Sequence, residues 1–279
     1  MQKKYKYLAM SIIVLPLVFF AAIYGLSAYQ MNTHYSPINR DFKVAANADI
    51  IEGKRLATIH GCTSDCHGKN AIGQAYHGLS APNLSQIVHR YTDQELEQTI
   101  RQGIRPNGTS LYSMPSETYQ YLSDEALSNI LAYLRTLPIS QNTASMRQPS
   151  LEWRWTLLTE GHTPAVDLVK DISPPKHTEQ TQPDILGEYL ARSICAECHA
   201  PSFKGYTGFS PSLIMVNAYD AEAFKQLMLT GIGLGQRDLG LMTQTGRQRL
   251  SYLRVDEIRA LYHYLHSPDL IETLSVPDK

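Results

Sequence analysis

The chain has 279 residues, 43 % of them hydrophobic, which is enough for one or two cores of ordinary size. Its 25 basic and 26 acidic residues nearly balance, so no nucleic-acid partner is expected.

Lys3, Lys4 and Lys6 open the chain, and no acidic residue occurs in the first 30. An uncharged run follows, Leu8 to Ala28, whose 21 residues match the roughly 20 apolar residues needed to cross a bilayer. Positive charge before the run and none just after it predicts a single-pass anchor, N-terminus in the cytoplasm and the rest outside. Tyr5, Tyr7, Tyr24 and Tyr29 sit near its two ends, where amphipathic aromatics favour the interface. A cleaved signal peptide with Ala28 as the cleavage residue is the competing reading. Both readings export the remainder, where disulfides are permitted.

Four cysteines follow in two tight pairs, Cys62 with Cys66 and Cys195 with Cys198, each pair followed at once by a histidine. The second reads CAECH, Cys195 to His199, a regular C-x-x-C-H. Two thiols at this spacing can add to the vinyl groups of a haem, with the adjacent histidine held under the iron. A tetrahedral zinc site would need a fourth ligand at matching spacing, and a thioredoxin-like pair would need a βαβ setting. The first pair, HGCTSDCHGK from His60 to Lys69, has three residues between its cysteines.

The surroundings of the two pairs repeat. IEGKRLA (Ile51 to Ala57) matches ILGEYLA (Ile185 to Ala191), pairing Gly53 with Gly187. Downstream, Pro82-Asn83-Leu84 matches Pro211-Ser212-Leu213, and helical patterns run to Gly103 and Gly231. Met114 and Met242 each stand eleven residues beyond those glycines. Each copy closes on an acid-capped helical pattern that stops at a proline, Leu122 to Pro138 and Leu253 to Pro268. The divisions expected are 1–30 anchor or signal segment, 31–46 juxtamembrane, 47–140 first unit, 141–183 connector, 184–268 second unit and 269–279 C-terminal tail. Trp153 and Trp155 of the connector are expected in interdomain packing.

On C-x-x-C-H, the following Pro-x-Leu and the stretch Arg101 to Pro115, the chain resembles class I c-type cytochromes, especially the membrane-anchored dihaem cytochromes c of bacteria. The first unit is similar to cytochrome subunits of membrane-bound dehydrogenases. The resemblance implies an all-α fold of two tandem cytochrome c domains, each a few helices around one covalent haem c. It implies thioethers from Cys62, Cys66, Cys195 and Cys198, and axial pairs His67 with Met114 and His199 with Met242. Carbonyls of Pro82 and Pro211 would hold the histidines, and Gly53 with Tyr133 and Gly187 with Tyr264 would be helix crossings. At the first motif three outcomes stay open: two thioethers, attachment through Cys66 alone, or a Cys62–Cys66 disulfide without haem.

The remaining methionines are expected as filler, with Met215 and Met228 in the core and Met146 in the connector. His60, His77, His89, His162, His177, His263 and His266 are expected as surface or packing residues. Arg101 and Arg105 are candidates to pair with propionates. Filled axial positions leave outer-sphere electron transfer as the chemistry. The function expected is an electron carrier at the outer face of a bacterial cytoplasmic membrane, bound to lipid through residues 8–28. It would run from a dehydrogenase or quinol-oxidising complex to a soluble cytochrome or terminal oxidase. The alternative is a dihaem redox enzyme, of peroxidase or thiosulfate-oxidising type, with one open haem site.

Overall fold

Helix α1 (Gln2–Met31) contains the uncharged run, and its stretch Ile12–Met31 is long and apolar enough to cross a membrane. It belongs to a computed structural model that describes residues 2–76, 78–141, 148–159, 161–170, 172 and 183–276. Met146, His77 and His177, like much of the connector, lie outside the described residues.

Helix α2 (Ile50–Ile59) starts where the Asp49 carboxylate accepts the backbone N–H groups of Ile51 and Glu52, satisfying donors that have no partner within the helix. A hairpin of β1 (Gln74–Tyr76) and β2 (Leu79–Ala81) pairs Gln74 with Ala81. Helices α3 (Leu84–Arg90), α4 (Asp93–Arg101), α5 (Ser116–Tyr119) and α6 (Asp124–Leu134) follow. Asn83 caps α3, Ser123 caps α6, and Thr92 with Glu95 forms a capping box on α4. Ala57, Val88, Leu96, Leu122, Leu127, Ile130 and Leu131 close the first core, with α2 laid across α6.

The connector contributes α7 (Leu151–Thr159) and α8 (Ala165–Val169). Its tryptophans do not pack between the two units. Trp153 is buried against Tyr112 and stacked on His162, and Trp155 meets Phe19 of α1 at 5.5 Å between ring centroids. Between them Arg154 donates to Ser27 Oγ (2.8 Å) and lies over the Tyr24 ring, so α7 clasps the C-terminal half of α1. The reason is reach: α7 follows directly on the first unit, where Ser150 N donates to Gly78 O, and α1 is its nearest apolar surface.

The second unit begins with α9 (Pro183–Leu190), passes through a π-helical turn at Ala191–Cys195, and continues as α10 (Ala196–His199). Helix α11 (Ala221–Thr230), a small hairpin of β3 (Ile232–Gly233) and β4 (Arg237–Asp238), and helices α12 (Leu241–Gln248) and α13 (Val255–Leu265) complete it. The expected C-terminal tail is instead helix α14 (Pro268–Ser275), with proline at its start. Leu270 and Leu274, four residues apart, fall on one face and join the second core with Leu190, Phe203, Phe224, Leu227 and Leu261. The fold is therefore mostly helical rather than all-α, the two hairpins being tight loops between helices.

The helix crossings need glycine. A Cβ on Gly53 would stand 2.5 Å from the Asn129 carbonyl carbon and 3.0 Å from Tyr133 Cβ. One on Gly187 would stand 2.6 Å from Tyr264 Cβ. The two units pair α2 with α6 and α9 with α13 in the same way.

Candidate functional site

In the second unit Cys195 ends the π-helical turn and caps α10, which carries Ala196 to His199 on one turn. His199 Nδ1–H donates to Pro211 O at 2.8 Å, which leaves Nε2 available as a ligand. In the first unit α2 stops at Ile59, Gly61 turns the chain with φ +75°, and Cys62 N reaches back five residues to Ala57 O (2.8 Å). Ala196 N makes the equivalent bond to Ala191 O, so both helices unwind at the same alanine. The extra residues of the first motif lie in the turn that follows, and Cys66-His67 is delivered after it. His67 Nδ1–H then donates to Pro82 O at 2.9 Å.

Burial lowers the pKa of both histidines, more than the prolyl carbonyls raise it, so each imidazole is neutral. Burial pushes the thiols of Cys62 and Cys195 up to about 12 and that of Cys198 to about 11. Zinc ligation needs thiolates, a form that this burial disfavours. No disulfide is formed among the described residues, and there no group of three or more His, Cys, Asp or Glu could hold a metal ion.

Glycines unremarked in the sequence complete each loop. Gly73 and Gly205 each stand six residues after the motif histidine, with φ +82° and +80°, and each N–H donates to that histidine's carbonyl at 2.9 Å. A Cβ at Gly73 would sit 2.8 Å from Ala81 O and Asn83 N, and one at Gly205 2.6 Å from the Pro211 carbonyl carbon. Only glycine lets the chain pass this close to the carbonyl that orients the ligand. Their equal spacing from the histidines in both copies was the available signal.

Cys195, Cys198, His199 and Met242 line one open apolar cleft, walled by Leu213, Phe224, Met228 and Leu261, with 1220 Å³ of atom-free space, part of it open to solvent. Met242 lies in the first turn of α12 rather than in a loop. Its neighbour Thr243 anchors it: the buried hydroxyl donates to Gly231 O (2.6 Å) and accepts from Leu239 N (2.8 Å). Met114 and Cys62 both pack on the first core, and Met114 precedes Pro115 at the start of α5. Met228 is core, but Met215 is exposed at the cleft rim because the short 3-10 turn that carries it shows only Leu213 and Val216 inward.

Arg101 is not free for a propionate. It is buried, pairs with Asp124 (2.7 Å) and donates to Leu122 O. Arg105 donates to Ser110 O and Thr109 Oγ1 and, among the described residues, has no carboxylate partner. His60 is a packing residue: Nδ1–H donates to Ser193 O (3.2 Å), and the Tyr119 hydroxyl donates to the His60 carbonyl.

The cytochrome c family model matches residues 50–138, the segment that holds Cys62, Cys66, His67, Pro82 and Met114. Residues 50–138 are a cytochrome c domain. A cytochrome c domain implies haem c, and the neutral His67 imidazole, oriented by the Pro82 carbonyl, fits that group. The chain is homologous to cytochrome subunits of quinone dehydrogenases. It is 30 % identical over 169 residues to the cytochrome c subunit of the alcohol dehydrogenase (quinone) of Gluconobacter oxydans, covering 53 % of this chain and 33 % of that protein. It is 28 % identical over 170 residues to the same subunit of Komagataeibacter europaeus, covering 53 % and 34 %. It is 25 % identical over 266 residues to the fructose dehydrogenase cytochrome subunit of Gluconobacter japonicus, covering 84 % and 51 %. The chain thus spans a third to a half of the length of these relatives.

Proposed function

We propose that the chain is a membrane-anchored dihaem cytochrome c that carries electrons as the cytochrome subunit of a dehydrogenase-type complex. The observation that carries this reading is the second cleft, where Cys195, Cys198, His199 and Met242 converge and His199 repeats the prolyl hydrogen bond of His67. Haem c, when bound, supplies a one-electron iron couple. His67 with Met114, and His199 with Met242, would hold the two irons, and the four cysteines would fix the porphyrins. Pro82 and Pro211 carbonyls orient the imidazoles, Gly73 and Gly205 admit those carbonyls, and Thr243 holds the Met242 turn. Arg105, half-buried and already positioned by its loop, is a candidate cation for a propionate.

Retention of α1 as an anchor is supported by its packing, since Ile23 and Ser27 are buried by the folded chain and Arg154 bonds Ser27. The lysines ahead of α1 support an outward-facing, periplasmic location. The names of the relatives support a dehydrogenase as electron donor; a soluble cytochrome or terminal oxidase would accept. Haem content per chain, with ferric spectra of Met114→Ala and Met242→Ala, tests the reading. Two haems, and loss of one methionine–iron band in each variant, are expected. One haem, or a high-spin haem in the untouched protein, overturns the closed-site carrier in favour of a single-haem protein or the enzyme with an open iron.

A further inference from the structure

The two cysteine motifs face each other across the junction between the units, and one side chain of the second unit reaches both. Arg249, 4 % exposed, donates from Nε to Ile59 O (2.8 Å), the residue where α2 ends before the first motif. Its Nη2 pairs with Glu197 (2.6 Å), which stands between Cys195 and Cys198. Its Nη1 lies 3.6 Å from Asp65, which stands between Cys62 and Cys66. Gly61, next to Cys62, has no room beside it: a Cβ there would be 3.3 Å from the guanidinium carbon. Arg249 and Glu197 also line the second cleft. Cys66 and Asp65 are close enough to Cys198 to act on its thiol electrostatically.

The junction has other bonds: His60 Nδ1–H donates to Ser193 O beside the motifs, and others lie away from them. Arg55 pairs with Glu52 and Glu257 (2.7 Å each), and Arg254 pairs with Glu52 (2.6 Å). Arg249 differs from these cations in standing buried between the two cysteine motifs. A buried charge is also weakly screened by salt, so its field reaches nearby groups.

We propose that Arg249 is the positioning residue that joins the two cofactor sites, fixing the two attachment loops against each other and setting both reduction potentials through its charge. The sites then form one coupled pair rather than two independent carriers. The internal transfer is one electron from one site to the other, with no bond made or broken and no proton moved. This rests on the dihaem reading above. A nearby cation favours the reduced state, which carries one positive charge fewer, and a nearby carboxylate opposes it.

The test is a redox titration of the full-length protein as Arg249→Gln, Arg249→Lys, Glu197→Gln and Arg254→Gln, with haem content measured for each. Arg249→Gln is expected to lower the potential of the second site by at least a tenfold change in its one-electron equilibrium, 59 mV, and that of the first site by less. Glu197→Gln is expected to raise the second potential, Arg249→Lys to restore most of the loss, and Arg254→Gln to move neither. Opposite shifts on removing opposite charges are a signature that a purely structural role does not produce. Unmoved potentials in Arg249→Gln with two haems retained overturn the inference and leave the dihaem reading intact. Should Arg249→Gln fail to assemble, an unmoved potential in Glu197→Gln overturns it. A single haem in the unaltered protein overturns the dihaem reading itself.

Discussion

Replacing Gly53 by alanine tests the helix crossing that sets the first site. Helix propensity favours the change by about 0.5–1 kcal/mol, because glycine in a helix interior is the poorer former. The crossing opposes it. The new methyl would lie 2.5 Å from the Asn129 carbonyl carbon, where ordinary contact is 3.4–4 Å, so α2 and α6 must separate by about 1 Å. A gap of that size removes a quarter to a half of each dispersion contact, and on the order of 20 pairs at ~0.1–0.2 kcal/mol gives about 0.5–2 kcal/mol. Separation also stretches the bond from Asp49 N to Asn129 Oδ1 (2.8 Å), worth about 1 kcal/mol. Asp49 is the cap of α2, so the helix start loosens with it. The net expectation is destabilisation by about 0.5–2.5 kcal/mol, read by urea unfolding followed in far-UV circular dichroism and in the haem absorption. Lys54→Ala, one position along and exposed, serves as the control and should move stability by less than about 0.5 kcal/mol. A Gly53→Ala protein as stable as the parent, or more so, would refute the close crossing.

Gly205→Ala should cost about 1–3 kcal/mol, through its positive φ and its contact with Pro211, and, on the dihaem proposal, should broaden the spectrum of the haem at His199 more than that at His67. Burial, the nearby Arg249 charge and, against them, the Ser193 carbonyl set the pKa of His60, which is pulled down to about 3. The unfolded chain therefore binds a proton between pH ~6.5 and ~3 that the folded chain excludes, so stability falls as pH drops through that window, by about 5 kcal/mol at most. His60→Phe should flatten that acid limb in melts taken across the window; an unchanged slope would rule out His60 as its source. Arg154→Ala removes the bond to Ser27 and the contact with Tyr24, at a cost of about 1–2 kcal/mol. Faster amide exchange over residues 151–159 with unchanged haem spectra is the expected result. Trp155, 44 % exposed beside Phe19, should be quenched by brominated lipid in vesicles while buried Trp153 is not; equal quenching would place α7 away from the bilayer.

Much of the local geometry was legible because it depends on spacing within one short segment. The match of Gly53 and Gly187 followed from counting back from each motif, and the hydrogen bonds of His67 to Pro82 and His199 to Pro211 followed from counting forward. What was not legible arises between segments. Arg249 lies in a stretch without a counterpart in the first unit, and its partners Ile59, Asp65 and Glu197 have no periodic relation to it. The two tryptophans were assigned to the wrong surface because composition says that a residue needs a partner without saying which. Met215 misled for another reason: it follows Pro-x-Leu at core-like spacing, but a 3-10 turn rotates it outward. The tail became α14 because two leucines four apart are a weak signal until a core is present to receive them.

The burial of both motifs at one junction bears on how the protein is made. Thiols held protonated in a closed interface react slowly, and Ile59 from the first unit is already part of the second unit's core. Where these cysteines carry the haem proposed above, attachment would therefore precede closure of the junction. Arg249, which donates to Ile59 O and pairs with Glu197, would then be among the contacts that close the junction.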